Sequence, residues 1–80
     1  MWKSYPVPDE VATSIASGTS RVRAFREYDG VSLSGLALAT GIAAERLIQV
    51  EGGAVPTDDE LRDIGDALAV PISMLVGMSG

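Results

Sequence analysis

Within Thr40 to Gly53, "TGIAAERLIQVEGG", three side chains able to hydrogen-bond stand close together: Glu45, Arg46 and Gln49. A glutamine amide can pair bidentately with adenine, a glutamate can accept from the exocyclic amine of cytosine, and an arginine can grip a phosphate or a guanine edge. Glu45 and Gln49 are four residues apart, so on a helix they share a face, where they can also do no more than support the helix. Other chemistries are poorly served. The chain has no cysteine and no histidine, so thiolate and imidazole ligands and the commonest general base are missing. No nucleophile, base and orienting group can be drawn together. No catalytic residue, metal or cofactor is therefore expected, and the chain reads as a non-enzyme. The acidic run Asp58 to Glu60 lacks the spacing of a calcium loop, and "SGLALATG" has well-spaced glycines but no lysine after them, so it is no phosphate-binding loop.

Eighty residues make one small domain with a single core, burying roughly 60% of the unfolded chain's surface. The net charge of −5 opposes nucleic-acid binding, which draws its affinity from Lys and Arg neutralising phosphates. Any basic patch has to be local. Arg21, Arg23, Arg26 and Arg46 fall in the earlier part of the chain, whereas Asp58, Asp59, Glu60, Asp63 and Asp66 follow later. The apolar stretches are broken by Gly, Ser or Pro before they reach about 18 residues. "MWKSYPVPDEV" has no apolar run of the signal-peptide kind. The expectation is a soluble, cytoplasmic protein without a membrane partner.

The elements that must position these residues are short helices. Residues 1–8 read as an extended arm around two prolines, and 9–18 as a helix that is acidic at its start and stopped by Gly18. Thr19 or Ser20 caps a helix to about Tyr28, with Val22 and Phe25 inward and Arg21, Arg23 and Arg26 in water. Ser32 or Ser34 caps the next, with Leu36 and Ala39 inward and Gly41 as its stop. A helix from Ala43 to about Glu51 buries Leu47 and Val50 and closes on Gly52-Gly53. Two short helices across a tight glycine-containing turn are the signature of a helix-turn-helix. Thr57 and Glu60 form a capping box for a helix with Leu61, Ile64 and Leu68 as its core stripe. After Pro71, a last turn from Ile72 to Val76 lays Met74 and Leu75 on the core. No strand pattern emerges, and the class is all-α, a compact bundle of five to six helices.

This order of elements resembles the phage-repressor-like (Cro, XRE) helix-turn-helix family, the lambda-repressor-like fold, over about residues 20–77. The resemblance rests on Gly30-Val31-Ser32, Leu36-Ala37, Gly41-Ile42, Leu47, Val50-Glu51-x-Gly53, Leu61, Ile64, Ala67-Leu68 and Leu75. "PDEVATSIASG" with "RAFRE" is similar to a subgroup that carries an extra N-terminal helix, many of whose members are taken as antitoxins of the HigA kind. The resemblance implies a helix-turn-helix domain over 19–77 acting as a repressor on double-stranded DNA. It also implies a homodimer spanning two half-sites, and a cognate toxin as a further partner. It places Ala44, Glu45 and Gln49 toward the bases, with Arg46 and Ile48 nearby. Leu33, Ser34 and the turn at Gly52-Gly53 fall toward the phosphates.

The chain departs from the family where contact is made. Leu33 stands at a place that is usually polar and cannot bond a phosphate, and Ala43, Ala44 and Ile48 occupy polar or basic places. Backbone N–H groups at the helix starts near Ser34 and Ala43 remain available to phosphates. Two readings therefore stand. In one, Ser34, Ala44, Glu45, Arg46, Gln49 and Gly52 bind DNA, and one or two of Leu33, Ala44 and Ile48 touch a thymine methyl. In the other, Leu33, Ala44 and Ile48 form an apolar docking patch for a toxin or a second copy.

Overall fold

The described residues form six short helices, three of them begun by a serine or threonine cap at Ser20, Ser32 and Thr57. The computed structural model describes residues 7–76, so the expectations for residues 1–6 and for residue 77 lie outside the described residues. The helices are α1 (Asp9–Ala16), α2 (Arg21–Tyr28), α3 (Leu33–Thr40), α4 (Ala44–Glu51), α5 (Asp58–Leu68) and α6 (Ile72–Leu75), with no strand among the described residues. The fold is all-α.

Four of the starts have a local cause. Asp9 and Glu10 occupy the first turn of α1, at its positive end. The Ser20 hydroxyl accepts from the Arg23 N–H at 3.2 Å, and the Ser32 hydroxyl from the Gly35 N–H at 2.9 Å. Thr57 and Glu60 complete the expected capping box, Thr57 Oγ1 accepting from the Glu60 N–H and Glu60 Oε1 from the Thr57 N–H. Of the two candidate caps for α3 it is thus Ser32 that acts, which leaves Ser34 exposed in the first turn.

Leu36, Leu47 and Ile64, one each from α3, α4 and α5, are completely buried at the centre. Val11, Val22, Phe25, Leu61, Leu68, Val70 and Leu75 surround them. No polar or charged residue is fully buried among the described residues. One inward position differs from expectation. Ala39 is exposed and Ala37 packs on the core instead. With 100° per residue, Leu33, Leu36, Ala37 and Thr40 make one stripe and Ala39 falls off its edge.

Between α3 and α4 the chain turns through 113°, within the range that defines a helix-turn-helix. Gly41 closes α3 in the left-handed region at φ 76°, which glycine enters without a Cβ penalty. The Thr40 hydroxyl donates to the Leu36 carbonyl at 2.7 Å and accepts from the Ile42 N–H at 3.1 Å, joining the end of α3 to the elbow. Among the described residues no single helix is long and apolar enough to cross a membrane.

Candidate nucleic-acid interface

The wheel of α4 is divided sharply. Leu47 and Val50 face the core, while Glu45, Ile48, Gln49 and Gly52 are exposed, Ile48 by 55%. Ala44 is half-buried one turn before Ile48. Arg46 and Glu51 lie on the two flanks between these faces. Each is closed by an ion pair to a neighbouring helix.

On one flank, Arg26 of α2 meets Glu51. Its Nε donates to Oε2 at 2.7 Å and its Nη2 to Oε1 at 3.0 Å, while Nη1 donates to the Val31 carbonyl at 2.9 Å. Only 11% of the Arg26 side chain and 8% of the Glu51 side chain remain exposed. The hydrogen bond to Glu51 raises the Arg26 pKa further above its ordinary value, against the opposing effect of burial. The expectation of a wet Arg26 is therefore corrected. Arg26 follows Val22 by four residues, on the same side of α2, and its guanidinium is drawn in because a carboxylate waits there.

On the other flank, Arg46 meets Glu60 of α5. Nε donates to Oε2 at 2.8 Å and Nη2 to Oε1 at 2.9 Å, and Nη2 also reaches the Val55 carbonyl at 3.1 Å. The two side chains are 31% and 18% exposed. Hydrogen bonds from Arg46, and next from the Thr57 N–H, lower the Glu60 pKa from an ordinary 4.5 to about 2. A carboxyl whose folded pKa is depressed adds stability above its unfolded pKa and loses it as the pH falls toward the folded value. Replacing Glu60 with Gln should therefore leave a gap in urea midpoint that is full above about pH 5 and shrinks between 4.5 and about 2. Midpoints at pH 7 and pH 3 check this; an equal gap at both would contradict it.

Two other arginines are also occupied. Arg23 pairs with Glu27 at 2.9 Å and Arg62 with Asp59 at 3.0 Å, both on exposed surface, where such pairs contribute little. Arg21 has no carboxylate partner among the described residues. The exposed face of α4 thus carries one acidic side chain, Glu45, and no basic one. The backbone offers more. Ala43, the residue before α4, supplies no side-chain cap, so the first N–H groups of that helix have no side-chain partner.

The structure brings Leu33 and Ile48 together, lining a shallow groove with Arg23, Arg26, Glu51 and Gly52. Ala44 is on the same helix but not in that lining. Leu33 also packs against the core, which removes part of it from any docking patch. Gly52 and Ser34 are exposed, as contact to a phosphate requires. The holders of the two arginines, Glu51 and Glu60, went unassigned in the sequence. Glu60 was legible as a cap, but nothing in the spacing signals its second partner. Among the described residues no group of acidic side chains could hold a metal ion. Comparison with protein-family models, curated proteins and solved structures finds no match.

Proposed function

We propose that this chain is a sequence-specific DNA-binding regulator of the phage-repressor type, a cytoplasmic homodimer that blocks a promoter by occupying it. The observation that carries this reading is the 113° elbow at Gly41, beyond which α4 holds Gln49, Glu45 and Gly52 out to solvent on one face. A helix so placed fits the major groove, Gln49 pairs with adenine, and Glu45 accepts from cytosine. Ser34, Gly52 and the uncapped N–H groups of α4 take the phosphates. Gln49→Ala should weaken specific binding by about 1–3 kcal/mol and barely change binding to random sequence. The test is fluorescence anisotropy with duplex from upstream of the gene and with a scrambled duplex, at about 50 and 200 mM salt. Equal losses on both duplexes would remove Gln49 from this role.

A second reading has its own support in the exposed Ile48 beside Leu33 and in the pairing of Arg23, Arg26, Arg46 and Arg62 with carboxylates. In it the same frame is a protein-interaction module, and Leu33, Ala44 and Ile48 dock a cognate toxin or a second copy. Leu33→Lys should then disrupt assembly. Unchanged molar mass in light scattering and unchanged toxin binding would count decisively against it.

A further inference from the structure

The two ion pairs beside α4 differ in how firmly they are held, and the difference bears on what Arg46 can do. Arg26 and Glu51 are nearly enclosed, and separating them would strand a charge in the interior. Arg46 and Glu60 sit at the surface. Glu60 keeps a second donor, the Thr57 N–H at 2.9 Å, and stands in the first turn of α5, where the helix dipole favours an anion. Its carboxylate therefore gives up its largest stabilising contact when the arginine leaves but keeps a donor and a favourable helix end. Arg46 is one turn from Gln49 and 31% exposed, and its planar fork fits a phosphate as well as it fits a carboxylate.

We propose that Glu60 is an internal competitor for DNA: it occupies the Arg46 guanidinium in the free protein and yields it to a backbone phosphate when duplex binds beside α4. This rests on the DNA-binding reading above and adds to it a residue outside the helix-turn-helix that sets the strength of binding. In the free state the pair neutralises the cation on that flank of α4, so the protein is a poor ligand for arbitrary polyanions. On a duplex the exchange adds one phosphate contact without exposing an unpartnered carboxylate.

The variant that tests it is Glu60→Gln, since glutamine serves the capping box as glutamate does. The probe is a random-sequence duplex, titrated by fluorescence anisotropy from about 50 to 200 mM salt, with wild type, Glu60→Gln, Arg46→Gln and the double variant. Circular dichroism checks that each is folded. Releasing Arg46 should tighten binding about tenfold at the lowest salt, the cost of breaking the pair, while the slope of log affinity on log salt stays that of wild type, since Arg46 reaches the phosphate in both; Arg46→Gln should flatten that slope by about 0.9, one phosphate fewer. The gain should vanish when Glu60→Gln is made in the Arg46→Gln background. A gain that persists there reports only the removal of a negative charge, and overturns the proposal. Wild type that binds as tightly as Glu60→Gln, or an Arg46→Gln slope equal to that of wild type, overturns it as well while leaving the DNA-binding reading intact. If no variant binds at any salt, both fall together.

Discussion

Glu51→Ala is expected to destabilise the fold by about 3–5 kcal/mol, the cost of leaving a buried guanidinium without its carboxylate. Small domains have a total stability of about 5–15 kcal/mol, so this one change removes a large share of it. The reason is geometric: the Arg26 fork makes two bonds to Glu51 and one to the Val31 carbonyl, with about a tenth of either side chain exposed. After truncation the cation keeps the carbonyl, the more distant Glu27 carboxylate and its narrow access to solvent in place of two charge-assisted bonds. Urea denaturation followed by circular dichroism measures the loss. Replacing both partners with apolar residues of similar volume, Arg26→Met with Glu51→Leu, should recover most of it. A loss below about 1 kcal/mol for the single variant would mean that the pair is solvated as an ordinary surface bridge is.

Gly65→Ala should also destabilise the fold, although alanine is the better helix former by about 1 kcal/mol. A Cβ at this position would sit 2.9 Å from the Val70 carbonyl oxygen, with Ile72 and Leu75 at 3.7 and 3.8 Å behind it. The obstacle is backbone, and it is pinned. The Val70 N–H donates to the Gly65 carbonyl at 3.0 Å, and Ala69 reverses the chain in the left-handed region at φ 57°. The chain cannot back away without breaking that bond or shifting α6. Overpacking of this kind costs about 1–3 kcal/mol, which outweighs the propensity gain. A thermal melt of the variant that is unchanged or raised would show that the closing turn after α5 yields freely.

Much of this was written in the chain itself. The capping box at Thr57 and Glu60, the stop at Gly41 and the apolar stripe Leu61, Ile64 and Leu68 are local signals, and the structure has them where periodicity and cap chemistry put them. What went astray depended on partners distant in sequence. Arg26 was assigned to solvent because the period of α2 gives an angle and cannot announce a carboxylate 25 residues away. The partner of Arg46 in the free chain, Glu60, is likewise 14 residues on and not announced by the period of α4. Ala39 and Ala37 differ by two places on a helix of small and apolar side chains, where hydrophobicity alone does not choose between them. The elbow was legible from Thr40-Gly41. The hydroxyl bridge from Leu36 to Ile42 that secures it was not.

Fastened on both flanks, α4 has lost most of its freedom to roll about its own axis before any partner arrives. Recognition by such a helix carries little conformational-entropy penalty on the protein's side, since ordering costs are what a preorganised surface avoids. The heat-capacity change on binding should then follow the apolar area covered, without the larger negative value that accompanies coupled folding. On the proposed reading a partner meets the backbone of α4 as it stands, and only the Arg46 side chain changes its contact to meet it.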